Sequence, residues 1–124
     1  MPAEDHVTYR IGDADERPWG DWSVLDSGPG YAVKRIRVRP GGKLSLQRHA
    51  HREERWTVAS GHARATLGEQ VVDVRPGETV AITPRMVHRL ENPGTEWLVL
   101  IEVQLGRKLV EHDIERIEDE YGRA

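Results

Sequence analysis

The sequence predicts an all-β domain, an antiparallel sandwich or small barrel, closed by one short C-terminal helix. Three observations carry this. From "RPWGDW" onward, short β-rich segments alternate with turn signals such as "GPG", "PGG", "PGE" and "NPG". Punctuation this frequent suits antiparallel strands and leaves no space for the crossover helices of βαβ units. Near the end the period changes: Val110, Ile114, Ile117 and Tyr121 are spaced as one helical stripe, with Gly122 where a C-cap belongs.

Taken in order, residues 1–16 are polar and acidic, an N-terminal tail or at best an edge strand. Residues 17–124 form a single domain. Its strand candidates are "YAVKRIRVRP", "KLSLQRHAH", "RWTVAS", "ARATL", "QVVDVRP", "TVAIT", "HRLEN" and "WLVLIEVQL". The helix over 110–121 packs against the outside of the barrel or across its mouth.

Composition narrows the function. The 124 residues carry a formal charge of −3, so no general nucleic-acid surface is expected. No apolar run reaches membrane-spanning length, and the start lacks the plan of a signal peptide. With no Cys there is no disulfide framework and no thiolate metal site. The expectation is a soluble cytoplasmic protein.

Strand side chains alternate, so parity decides which of them can meet. Over residues 44–51 one face carries Ser45, Gln47, His49 and His51, while Leu44, Leu46, Arg48 and Ala50 take the other. Opposed histidine and apolar faces fit a jelly-roll strand, one side packed on protein and the other lining a polar cavity. Lys34 is in phase with Ala32, Ile36 and Val38 and is expected at the cavity mouth or snorkelling from its end. Of Trp19, Trp22, Trp56 and Trp97, at least three are expected in the core or in a dimer interface rather than as a sugar platform.

From Gly41, five residues lead to Gln47, then His49 after one, Glu54 after four and Gly61 after six. Gly77 opens a second series that reaches His88 and Asn92. This spacing resembles the two motifs of the cupin superfamily, with Gln47 standing where the first histidine is usual. The resemblance implies a double-stranded β-helix holding one divalent ion on Gln47, His49, Glu54 and His88. Counting from His51 instead would put Arg55 and Trp56 where the glutamate belongs. Two imidazoles, a carboxylate and an amide oxygen suit zinc best, with manganese, cobalt, nickel or iron also open.

The stretch from "RPWGDW" through "ARATL", with "VHRLENPG", "LIEVQLG" and "HDIERIEDEYGR", resembles the type II phosphomannose isomerase domain. In that family the domain usually ends a bifunctional chain begun by a mannose-1-phosphate guanylyltransferase. The resemblance covers Arg17 to Arg123 and departs from the pattern at Thr83, Arg85, Arg55 and Leu105. It implies interconversion of mannose 6-phosphate and fructose 6-phosphate through an enediol. His51 and Lys34 are the expected catalytic groups; Ser45, Arg89, Glu102, Arg116 and Arg123 are the expected substrate contacts. The expected partner is a small sugar phosphate, and the expected assembly is a homodimer. Two other readings stay open: a metal-dependent oxygenase or epimerase, and a sugar-phosphate sensor without turnover.

Overall fold

The computed structural model describes residues 6–119 and Tyr121. Thirteen strands appear among them and no helix. They are β1 (His6–Val7), β2 (Ala14–Arg17), β3 (Gly20–Gly28), β4 (Tyr31–Val38), β5 (Leu46–Arg48), β6 (Glu53–Ser60) and β7 (Ala63–Leu67), followed by β8 (Gln70–Val74), β9 (Thr79–Ile82), β10 (His88–Glu91), β11 (Leu98–Leu105), β12 (Lys108–Leu109) and β13 (Glu115–Glu118). One sheet runs β2-β3-β4-β11-β6-β9 and the other β13-β5-β10-β7-β8, and every pairing within them is antiparallel. The expected jelly-roll barrel is the fold. A separate parallel pair, β1 with β12, ties the two ends of the described chain together.

The alternation that predicts strands also fills the barrel. On β11, Leu98, Leu100, Glu102 and Gln104 are buried, and the residues between them are half-buried on the outer face. The same inward row reads Lys34, Ile36, Val38 on β4 and Glu54, Trp56, Val58 on β6. Each row therefore passes from apolar to polar along its length, and the register aligns the polar ends. Glu102 lies opposite both Lys34 and Trp56, and Gln104 opposite Glu54. One end of the barrel is a hydrophobic core built on Trp19, Ile36, Trp56, Val58, Leu98 and Leu100. The other end holds charge.

Motif glycine Gly61 makes the turn between β6 and β7 at φ +87°. Any Cβ there would sit 2.7 Å from the carbonyl oxygen of Trp97, so the residue answers both to conformation and to space. Arg85 takes φ +66° without being glycine, in the loop before β10. That conformation strains an L-residue by about 1–2 kcal/mol.

Two sequence expectations need correction. No helix spans 110–121: the segment turns and then adds β13 to the free edge of β5, pairing Glu115 with Arg48 and Arg116 with Gln47. The apolar stripe that suggested a helix is not one buried face. Val110 is buried, but Ile117 is 45 % and Tyr121 36 % exposed. Gly122 lies outside the described residues. The 44–51 segment is also not one continuous strand. β5 ends at Arg48 and the chain bends at Ala50 and His51, whose N–H groups donate to the Asp113 carboxylate at 2.9 and 3.0 Å.

Candidate metal centre

Between the sheets, at the polar end, lies a cavity of about 80 Å³ lined by Gln47, His49, Arg52, Glu54, His88 and Glu102 among others. Three groups converge there. Side-chain donor atoms of His49, Glu54 and His88 all lie within 4.8 Å of one another. His88 and Gln47 are direct cross-strand partners on β10 and β5, so both project from one sheet, while Glu54 reaches in from the other. The glutamate is fixed by β6, whose pairing on both edges sets its inward parity.

Hydrogen bonds aim the ring nitrogens. His49 Nδ1 donates to the carbonyl of Asp113 at 2.6 Å, and His88 Nδ1 donates to that of Met86 at 2.9 Å. Both rings therefore turn Nε2, with its lone pair, toward the cavity, as the outer contacts of metal-binding histidines do. Burial, then the charge of Arg52 and the neighbouring His88, holds His49 down at about 3. His88 is lowered too, chiefly by burial. Both are neutral at ordinary pH and able to donate a lone pair. Gln47 Nε2 donates to Ser45 Oγ at 3.0 Å, which leaves the amide oxygen as the donor toward an ion. These residues could hold a metal ion, and the donor set fits a divalent one.

A cation of the chain's own stands among them. Arg52, 7 % exposed, donates through Nε to Glu54 Oε2 at 2.8 Å and through Nη2 to His49 Nε2 at 3.2 Å. Burial opposes its charge, but Glu54 and Glu102 outweigh that and keep it protonated. Burial likewise works against ionised Glu54, and Arg52 with the surrounding hydrogen bonds brings it below the usual range. Glu102 goes the other way. Burial and the adjacent Glu54 push its carboxyl up to about 7, and the two groups share a hydrogen bond. Trp56 Nε1 donates to both, at 2.9 Å to Glu54 and 3.3 Å to Glu102, and Gln104 Nε2 donates to Glu102 at 3.0 Å.

Arg52 is absent from the sequence-based set, yet its parity could have raised it: it continues the inward row of Glu54 and Trp56. Lys34 does reach the cavity. Its ammonium lies 4.1 Å from the ring centroids of both Tyr9 and Trp22 and 3.2 Å from Glu111. Tyr9 was also beyond reach of sequence reasoning, because residues before 17 read as a polar tail or edge; it is 5 % exposed.

The other expected residues are placed elsewhere. His51 is exposed at the bend and does not line the cavity, because the alternation that would carry it inward stops with β5. Ser45 is buried and positions Gln47 rather than facing the cavity. Arg89 points away from His88, donating to Leu44 O at 2.9 Å and reaching Glu118 at 3.4 Å, so it braces β13. Arg116 sits opposite Gln47 but does not line the cavity. Arg123 lies outside the described residues. Of the four tryptophans, Trp19 and Trp56 are core, Trp22 is cavity wall, and Trp97 is exposed beneath Arg37 and Arg39. The family departures fall outside the cavity as well: Thr83 and Arg85 are exposed, and Arg55 pairs with Glu53 at 3.0 Å on the outer face of β6.

Fold and site together define a cupin-type barrel with a candidate metal centre at its polar end. Residues 4–119 match the family described as "Mannose-6-phosphate isomerase C-terminal", and the chain belongs to it. The chain is 50 % identical over 122 residues to mannose-1-phosphate guanylyltransferase RfbM of Salmonella typhimurium, covering 98 % of this chain and 26 % of that protein. It is 50 % identical over 108 residues to xanthan biosynthesis protein XanB of Xanthomonas campestris, covering 87 % and 23 %. With alginate biosynthesis protein AlgA of Pseudomonas aeruginosa the identity is 48 % over 108 residues, covering 87 % and 22 %. The chain thus spans about a quarter of the length of these curated relatives. Among solved structures, the capsular polysaccharide assembling protein CapF of Staphylococcus aureus superposes with a TM-score of 0.75 at 19 % identity, covering 90 % of this chain and 32 % of that one. Oxalate decarboxylase of Lactobacillus farciminis gives 0.74 at 20 %, covering 85 % and 33 %. These two likenesses concern the fold. Among the described residues no helix is long and apolar enough to cross a membrane.

Proposed function

We propose that this domain interconverts mannose 6-phosphate and fructose 6-phosphate, using one divalent ion held by His49, Glu54, His88 and the amide oxygen of Gln47. Two neutral imidazoles with their Nε2 atoms aimed at one carboxylate carry this reading, and family membership supplies the substrate. Bound there, the ion supplies Lewis-acid polarisation of the sugar oxygens at C1 and C2. Zinc suits the nitrogen-rich donor set best, with manganese, cobalt, nickel and iron(II) as the other arms of the test.

The reaction moves a proton between C1 and C2, which requires a group that can take it and return it. Glu102 holds the right place. Its carboxyl lines the cavity and shares a hydrogen bond with Glu54, beside the residues that would hold the ion. Lys34 stands one strand further out, directly opposite Glu102 in the register. His51, on the exterior, takes no part in this scheme. Trp19, Trp22 and Trp56 line the cavity.

The test is production of fructose 6-phosphate from mannose 6-phosphate, coupled to a reporter enzyme, on protein stripped with a chelator and reloaded across the metal panel. Turnover that returns with one divalent ion is the expected result. A protein that binds the ion stoichiometrically and isomerises no mannose 6-phosphate would overturn the assignment.

A further inference from the structure

At the cavity mouth three donors meet on a single acid. Tyr9 Oη donates to Glu111 Oε2 at 2.7 Å, Lys34 Nζ lies 3.2 Å from the same oxygen, and Arg17 Nη2 lies 3.3 Å from Oε1. The donors and the acid are held very differently. The Lys34 and Tyr9 side chains are buried, and the ammonium is fixed between the Tyr9 and Trp22 rings before any ligand arrives. Glu111 sits in the turn between β12 and β13 with its side chain 50 % exposed. It is the most exposed of the four side chains.

We propose that Tyr9, Arg17 and Lys34 form the binding site for a phosphoryl group, and that Glu111 is a built-in occupant which the incoming phosphate displaces. The proposal rests on the isomerase reading for the identity of the phosphoryl donor, a hexose phosphate.

Three further observations support it. The first is charge. Two cations and a hydroxyl face two carboxylates, Glu111 and Asp15. With Glu111 displaced, one net positive charge and three donors remain for a phosphate monoester, which near neutral pH brings nearly two charges and more acceptor oxygens than a carboxylate. Arg17 is shared with Asp15 at the rim, so its second contact persists when Glu111 leaves. The second is volume. The cavity is about 80 Å³ with Glu111 and Ile114 in its wall, well below the roughly 300–1,000 Å³ of pockets that enclose small ligands. Withdrawal of the Glu111 side chain opens the wall on the side facing solvent. The third is span. Glu54, Glu102 and Lys34 stand on three adjacent strands, so the backbones that carry Glu54 and Lys34 lie two strand spacings apart, roughly 10 Å. An extended hexose phosphate can reach from one to the other, with its carbonyl end at the ion and its phosphate at the mouth.

The experiment is calorimetric titration of the chelator-treated protein with inorganic phosphate, fructose 6-phosphate and fructose. Glu111→Gln keeps the shape and removes the competing charge, so it should bind phosphate and fructose 6-phosphate on the order of tenfold more tightly than wild type. Arg17→Gln and Lys34→Met, each introduced into Glu111→Gln, should reverse that gain, while the weak binding of neutral fructose stays unchanged. Arg17 lies at the rim and its replacement leaves the barrel core untouched, so this arm reads even if Lys34→Met folds poorly. Phosphate affinity that is unchanged or weaker in Glu111→Gln, or indifferent to Arg17→Gln, would overturn the proposal. Since no turnover is measured, failure of the isomerase reading has its own signature: wild-type protein that binds phosphate through these residues yet converts no mannose 6-phosphate.

Discussion

Strands β11 and β5 both contribute to the polar end of the barrel, and they obey sequence rules to different degrees. β11 is paired along its whole length by β4 and from Val99 to Leu105 by β6, with one register shift after Val99, and its inward–outward alternation never fails. β5 is three residues long, meets β10 at a single residue pair and takes its other edge from β13. Parity is a property of a held ladder. Where both edges are paired, residue spacing alone places Glu102, Lys34 and Glu54. Where the ladder stops, Asp113 and its carboxylate take over, and the chain bends so that His49 goes in and His51 goes out.

That contrast can be broken most forcefully on the well-paired side. Glu54→Ala removes the acid that balances buried Arg52, and an uncompensated buried charge costs about 3–5 kcal/mol. Chemical denaturation should register a loss of that size, and metal analysis should find the site unable to retain an ion. Glu102→Gln, on β11, should lower kcat by roughly a hundredfold while metal content stays at wild-type level. A drop in metal content of the same degree would make Glu102 a support for the ligands instead of the proton carrier.

On the irregular side, His51→Ala should leave turnover close to wild type and stability within about 0.5 kcal/mol, as for an exposed residue outside the site. A hundredfold loss of kcat in this variant would show that the bend moves His51 inward during the reaction. His49 offers a pH test of the same region. Its folded-state value is depressed to about 3 from 6.5, so the unfolded chain binds the extra proton and the contribution of His49 to stability is complete above pH 6.5. It is lost progressively as pH falls toward 3. In His49→Gln, thermal unfolding of chelated protein should show a shallower decline with acid over that window.

The smallest expected effect is at Arg85. Arg85→Gly relieves left-handed strain but adds freedom to the unfolded chain, for a net gain of about 0.5–1 kcal/mol. A rise in melting temperature checks it, and a fall would mean that the Arg85 side chain holds the loop.

The same contrast explains what could be read from residues in order. The barrel and the set His49, Glu54 and His88 follow from turn punctuation and motif spacing, because hairpin ladders make local pattern and final position agree. The stripe from Val110 to Tyr121 misled because helical spacing also arises in a segment that makes a turn and then an edge strand. The open edge of β5, a tertiary feature, decides between the two. β3 escapes the sequence pattern because Asp21, Ser23, Asp26 and Ser27 dilute its apolar alternation. Arg52 meets Glu54 and His49 two and three residues away, but only the bend after β5 brings the three together, and Glu111 bonds with Tyr9 across 102 residues, a meeting no local window contains.

Arg52 has a consequence for the order in which this domain is made. Many small metal-binding domains complete their folding only when the ion arrives, because the site rarely exists in the unfolded chain. Here Glu54 is balanced by Arg52, so the barrel is expected to close without an ion; cooperative unfolding of chelator-treated protein is the observation this requires. An ion arriving in that finished structure would have to take Glu54 and His49 from the guanidinium that now holds both, which would make loading an exchange of cations.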